Sequence, residues 1–186
     1  AETNGLAQGS GNGGDINLRG SQININNNAI VTAQTTGIGD GGDIHLFGSS
    51  ISLSDHAILT AQTTGNGKGG TINLDADSLS LSGSSQFTTE AKNIPQDITD
   101  SKGNILLYAN GGKTGRAGVI NLNSSNPRDL SISFLDPGST INAKTDTTGK
   151  GGTINLGTSG NKLTISGPGT ITAEDRKSTR LNSSHT

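Results

Sequence analysis

Three hexapeptides stand 28 residues apart: Gly13-Gly14-Asp15-Ile16-Asn17-Leu18, Gly41-Gly42-Asp43-Ile44-His45-Leu46 and Gly69-Gly70-Thr71-Ile72-Asn73-Leu74. A second block keeps the same interval, Thr32-Ala33-Gln34-Thr35-Thr36-Gly37 returning as Thr60-Ala61-Gln62-Thr63-Thr64-Gly65. A fixed period between about 20 and 50 residues marks a solenoid or a related array, in which each copy is one turn of structure. Looser copies begin at Gly118-Val119-Ile120-Asn121-Leu122 and at Gly152-Thr153-Ile154-Asn155-Leu156, and Ala1-Glu2-Thr3-Asn4-Gly5 matches the end of a preceding copy.

Within a copy the apolar period is two. Ile16 and Leu18 flank Asn17, Ile23 and Ile25 flank Asn24, and Val31 and Ala33 flank Thr32. Such alternation belongs to half-buried strands, and the Gly, Ser and Asn between them belong to turns. Three short strands and three turns fill one copy. Aligned copies give columns of nearly constant size. The first strand supplies Ile16, Ile44, Ile72, Ile120 and Ile154, then Leu18, Leu46, Leu74, Leu122 and Leu156. The second supplies Ile23, Ile51, Leu79, Leu130 and Leu163, then Ile25, Leu53, Leu81, Ile132 and Ile165. The third supplies Val31, Leu59, Phe87, Ile141 and Ile171, then Ala33, Ala61, Thr89, Ala143 and Ala173. Constant columns are what parallel, in-register strands about 4.8 Å apart require. The expected fold is an all-β, right-handed parallel β-helix of about five coils, its handedness taken from the general rule for parallel crossovers.

Composition agrees with that shape. Gly, Ser, Thr and Asn number 29, 22, 23 and 19, half of the 186 residues, and apolar residues are only 28%. An ordinary domain is about 45–50% apolar, so this chain cannot fill a round core, only a thin one repeated along an axis. One coil cannot fold alone. Its six or so aliphatic side chains contribute about 1.5–3 kcal/mol each on full burial, whereas ordering its backbone costs about 1–2 kcal/mol per residue. Neighbouring coils must close the gap.

The period is broken between about Asn93 and Gly118, where Ile105-Leu106-Leu107 imitates a first strand too close to Ile120; this reads as an extra strand or a loop excursion. Asn126-Pro127 and Asp136-Pro137 mark smaller insertions, since proline cannot donate to a ladder. Residues 1–174 are expected to form the β-helix, cut from a longer protein. The run Asp175–Thr186 abandons the alternation and resembles one reading frame of a widely used sequencing adapter; it is read as a non-native tail. The solenoid ends then lack caps, and end-to-end self-association of the fragment is expected.

The absence of Cys removes disulfides and thiol chemistry. A net charge of −2 argues against nucleic acid, and no apolar run approaches the ~20 residues of a membrane span. Gly9, Gly11 and Gly14 spell the spacing of a dinucleotide fingerprint, as do Gly37, Gly39 and Gly42. A strand follows, not a helix, so these are turns, and no cofactor is expected. Asp15, Asp40 and Asp43 are weak metal candidates, because hard cations favour oxygen clusters; solvated turn residues are the plainer reading. Asp75 and Asp77 could share a face, but the sequence places no acid–base partner opposite them. His45 takes an outward position held elsewhere by Asn17 and Asn73, and His56 lies in a turn. Thr32, Thr60, Thr88 and Thr172 form an outward column, which β-propensity on a polar face explains.

The run Gly-Gly-Asp-Ile-x-Leu, then Ile-x-Leu, then Ala-x-Thr-x-Gly resembles the repeats of filamentous-haemagglutinin-like exoproteins. The resemblance implies a long bacterial cell-surface or secreted fibre, exported with the help of an outer-membrane transporter. It implies adhesion or a biofilm role, with a host or neighbouring-cell surface, including its glycans, as partner. No enzymatic site is expected. The rival readings are a carbohydrate-active β-helix enzyme, marked by a clustered acidic and basic groove, and an ice- or mineral-binding solenoid, marked by a flat outward Thr or Asp array.

Overall fold

The structure, a computed structural model, describes residues 2–5, 11–37, 39–92, 98–99, 102–103, 105–107, 115–124, 129–146, 149–158 and 162–175. After β1 (Glu2–Gly5), the first coil is β2 (Ile16–Arg19), β3 (Gln22–Ile25) and β4 (Ile30–Gly37). The second is β5 (Ile44–Phe47), β6 (Ser50–Leu53) and β7 (Ile58–Gly65), and the third β8 (Thr71–Asp75), β9 (Ser78–Leu81) and β10 (Gln86–Lys92). Then come β11 (Ile98–Thr99) and β12 (Ile105–Leu107). The fourth coil is β13 (Val119–Ser124), β14 (Leu130–Phe134) and β15 (Thr140–Thr145); the fifth is β16 (Thr153–Thr158), β17 (Leu163–Ser166) and β18 (Thr170–Asp175).

Each strand of a coil joins a different sheet. The three sheets run β2-β5-β8-β13-β16, β3-β6-β9-β14-β17 and β1-β4-β7-β10-β15-β18, and their pairings are parallel. The chain is a parallel β-helix with three strands per coil. Ile44 lies between Ile16 and Ile72, and Ile72 faces Ile120, which faces Ile154. The core is a thin column between the sheets in which Ile44, Ile51, Leu59, Ile72, Leu79, Phe87, Ile120 and Ile141 lose all contact with solvent. Ile16, Leu18, Ile23, Ile154, Leu156 and Ile171, in the first and fifth coils, are only partly buried.

Two features depart from the sequence-based alignment. In the second sheet Ile132 pairs with Leu79 and Phe134 with Leu81, so Leu130 and Ile132 are not the partners of Leu79 and Leu81. The fifth coil shares the slip, with Leu130 facing Leu163 and Ile132 facing Ile165. A two-residue shift leaves every side chain on its own face, and Leu130 is buried. What selects the observed one is Phe134, which it brings inside at 3% exposure. The ring is accommodated by Gly169, where an added Cβ would overlap it. The third strands are also longer than expected, as β4 and β7 each extend eight residues. Their far ends turn Thr35 and Thr63 inward, and the corresponding position of β15 turns Thr145 inward. The Thr35 hydroxyl donates to the Asp40 carbonyl (2.7 Å) and Thr63 to that of Gly39 (3.1 Å), fastening strand to turn.

β1 pairs with the end of β4, Glu2 to Gln34 through Gly5 to Gly37, as the partial copy in the sequence implies. In the irregular stretch, β11 and β12 form a two-stranded antiparallel ribbon outside the three sheets. The Ile105 strand is thus an excursion, and β8 pairs directly with β13. Asn126-Pro127 and the residues after Asp175 lie outside the described residues.

Turns repeat like strands. Between second and third strands, Asn27-Asn28, Asp55-His56 and Gly83-Ser84 all take positive φ, from 53° to 61°, the successive left-handed pair that Asn, Asp and Gly tolerate best. Proline cannot enter that region, and at Asp136-Pro137 a carboxylate takes over. Asp136 accepts from the Ser84 amide (3.2 Å), the Gly138 amide (2.9 Å) and the Ser139 hydroxyl (2.9 Å). Partial desolvation pushes its carboxyl up, but the bonds from Ser139, Ser84, Gly138 and Gly83 together outweigh this and hold it below the usual carboxylate value.

Candidate functional site

Positions 28 residues apart in the sequence become stacked outward columns, so chemistry on this fold is built from three or four successive coils. The turn ahead of the first sheet gathers Asp15, Asp40, Asp43 and Lys68 around an open recess of about 410 Å³. Each carboxylate there has a structural partner one coil on. Asp15 accepts from the Asp43 amide (3.0 Å), Asp43 from the Thr71 amide (2.7 Å) and Asp40 from the Lys68 amide (2.8 Å). Asn12 does the same for the Asp40 amide (3.0 Å). The three aspartates thus stand in two neighbouring columns as fasteners between coils, and among the described residues no three His, Asp or Glu side chains converge as a metal would need. The glycines of this turn answer to close approach. An added Cβ at Gly42, Gly70 or Gly118 would collide with the carbonyl oxygen of Gly14, Gly42 or Gly70 respectively.

The outward face of the first sheet carries a side-chain ladder. Asn155 Nδ2 donates to Asn121 Oδ1 (2.8 Å), Asn121 Nδ2 to Asn73 Oδ1 (2.7 Å), and Asn73 Nδ2 approaches His45 Nδ1 at 3.3 Å. The third sheet carries another outward column, Gln34, Gln62, Glu90, Lys144 and Glu174. Gln62 Nε2 donates to Gln34 Oε1 (2.6 Å), and Glu90 is clasped by Lys92 and Lys144, each at 3.2 Å. Beside it run Thr32, Thr60, Thr88, Asn142 and Thr172. Asn142 interrupts that rank, and Thr60 and Thr88 are only 8% and 4% exposed, so it offers little hydroxyl surface in the middle coils.

The most site-like arrangement lies where the first sheet turns into the second. Arg19, Phe47 and Asp75 occupy one column on β2, β5 and β8. With Gly20, Gly48, Ala76, Ser21, Ser49 and Asp77 they line a recess of about 630 Å³, within the usual range of small-molecule sites. Its floor is low because the turn residues are glycine or alanine. Phe47 stands 54% exposed, with the Arg19 guanidinium carbon 5.8 Å from its ring centroid. An aromatic ring with a cation against it and two carboxylates one coil away can stack on an apolar face of a ligand and hydrogen-bond its polar edge. Asp75 and Asp77 therefore do share a neighbourhood, with Arg19 and Phe47 as company that a linear reading overlooks. The signal was present: 19, 47 and 75 are separated by the repeat length itself.

No family model matches the chain, and no curated protein or solved structure does either.

Proposed function

We propose that this chain is a segment of an extracellular or cell-surface structural fibre of a bacterial adhesin-like protein. The observation that supports it is the register of the first sheet, whose outward columns stay aligned across all five coils. A shaft of this kind has a dry core one coil thick and a polar, laterally repeated exterior. It projects side chains at a fixed pitch without needing a deep cleft. The resemblance to filamentous-haemagglutinin-like repeats points the same way and adds export through an outer-membrane transporter. The partner in this reading is a host or neighbouring-cell surface, and the recess around Phe47 is the part of the shaft best suited to meeting its glycans. To test it, microspheres coated with the chain are passed over cell layers and glycan-coated slides under flow. Retention above spheres coated with an unrelated β-helix is expected, and equal retention on every surface refutes the reading.

One observation favours a second reading. Arg19, Phe47, Asp75 and Asp77 form the mixed acidic and basic groove with an aromatic wall that a carbohydrate-active β-helix enzyme would need. In that case Asp75 and Asp77 supply the acid–base pair. Incubation with a panel of acidic and neutral polysaccharides decides between them. New reducing or unsaturated ends that vanish in Asp75→Asn and Asp77→Asn establish turnover, whereas binding without product leaves the fibre reading in place.

A further inference from the structure

The outward ladder on the first sheet has a direction, and His45 sits at the end that defines it. Three amides point the same way, each donating from Nδ2 toward the preceding coil: Asn155 to Asn121, Asn121 to Asn73, and Asn73 to His45. In this arrangement the Asn73 carbonyl accepts from Asn121 at 2.7 Å, and its NH2 group faces the imidazole. His45 Nδ1 can meet an NH2 group only as an acceptor, which requires the neutral ring with its proton on Nε2. At every other coil of the column an asparagine could serve equally well in either direction; His45 alone has a direction that a proton can change.

We infer that the ladder is a proton-set polar relay. Protonation of His45 turns Nδ1 into a donor facing a donor. Rotating all three amides by half a turn restores every bond with its sense reversed: His45 Nδ1–H donates to Asn73 Oδ1, Asn73 Nδ2 to Asn121 Oδ1, and Asn121 Nδ2 to Asn155 Oδ1. The number of side-chain bonds is conserved, and the first becomes charge-assisted and therefore stronger. If the amides stayed as they are, one rung would be lost. The end of the relay at Asn155 is exposed, so water takes whichever group is turned outward there. The charged groups on and just ahead of this face include Asp15, Asp40, Asp43 and Lys68 in the preceding turns, Arg19 on β2 and Asp75 on β8. The Oδ1 atoms of Asp15 and Asp43 accept backbone amides of the next coil. With coils about 4.8 Å apart, a proton at His45 resets a side chain roughly 14 Å away without moving the backbone.

The experiment is a pH titration of the full chain by NMR, following the His45 ring protons and the side-chain amide resonances of Asn73, Asn121 and Asn155. The expected result is that all three amides shift with the midpoint of the His45 ring. His45→Asn should leave them stationary over that range. Asn73→Ala keeps the titrating ring but cuts the ladder, and there Asn121 and Asn155 should cease to follow it. Two results overturn the inference. One is stationary Asn121 and Asn155 amides in the native chain while His45 titrates. The other is an undiminished shift at Asn121 and Asn155 in Asn73→Ala, which shows a through-space field of the charged ring and no relay.

Discussion

Truncating one aliphatic column rung by rung measures how the solenoid distributes its stability. Ile44, Ile72 and Ile120 have no exposed surface, whereas Ile16 and Ile154, at the two ends of the same column, are partly buried. Ile→Ala in a closed core costs about 2–5 kcal/mol, the spread reflecting how far the site collapses. The inner three sit between like residues above and below, held by ladder hydrogen bonds that resist collapse, so a value of about 3 kcal/mol is expected at each. For a chain of this size that is roughly 6–12 °C in melting temperature. Ile16 and Ile154 already face solvent on one side, so about half of that should be lost there. Far-UV circular dichroism on the five single variants, melted by heat and by urea, gives the profile. A flat profile, with Ile16→Ala as costly as Ile44→Ala, refutes the end-to-centre gradient, and a loss under about 1 kcal/mol at Ile44 refutes its burial between Ile16 and Ile72.

Thr89 occupies the small-residue column of Ala33, Ala61 and Ala143, fully buried, with a hydroxyl that has no hydrogen-bond partner; Thr89→Val should stabilise by about 1 kcal/mol, read as a higher urea midpoint. Gly70→Ala drives a Cβ into the Gly42 carbonyl, while Gly11 has nothing within 4 Å, so the first should cost about 1–3 kcal/mol and Gly11→Ala almost nothing in the same urea assay. Asp136 is held below its ordinary value by its hydrogen bonds, so its stabilisation is complete above the unfolded value of about 3.9 and is lost as pH falls through the lower folded value. Asp136→Asn should therefore melt below the native chain near pH 7, and the difference should close in acid.

Much of this architecture is legible in the sequence because one number, the repeat length, fixes both the columns and the pairing. It carries Ile16 to Ile44 to Ile72 without ambiguity, and the looser copies at Ile120 and Ile154 are recognisable from their Gly-x-Ile-Asn-Leu flanks. The strand holding Leu130 and Ile132 is legible, but its register against the third coil is not, because alternation is blind to a shift of two. Leu130, Ile132 and Phe134 all fit an inward face, and only the volume of the phenylalanine ring against Gly169 separates the registers. The inward Thr35 and Thr63 are not legible, since threonine reads as a polar turn residue until a carbonyl is placed beside its hydroxyl. Asp15, Asp40 and Asp43 stand out in the sequence as carboxylates, but it does not show that each meets a backbone amide of the next coil. The Phe47 recess was hidden for a different reason. Its members are far apart in the chain and unlike in chemistry, and only adding the repeat length to Arg19 and again to Phe47 brings them to Asp75.

Register survives unequal spacing between coils: Ile44 to Ile72 is 28 residues, Ile72 to Ile120 is 48 and Ile120 to Ile154 is 34, yet all five isoleucines stack. This has a mechanical consequence. The backbone hydrogen bonds between coils run along the axis, so tension applied to the two ends loads them in series, and coils peel away one at a time. Each regular coil that lets go frees about 90 Å of slack chain, at about 3.3–3.6 Å per residue less one coil spacing. The step that carries the excursion frees roughly 160 Å by the same reckoning. A pulled shaft of this kind lengthens in quanta, absorbing work at every step while the remaining coils stay stacked, and its one oversized quantum marks the place where the repeat was interrupted.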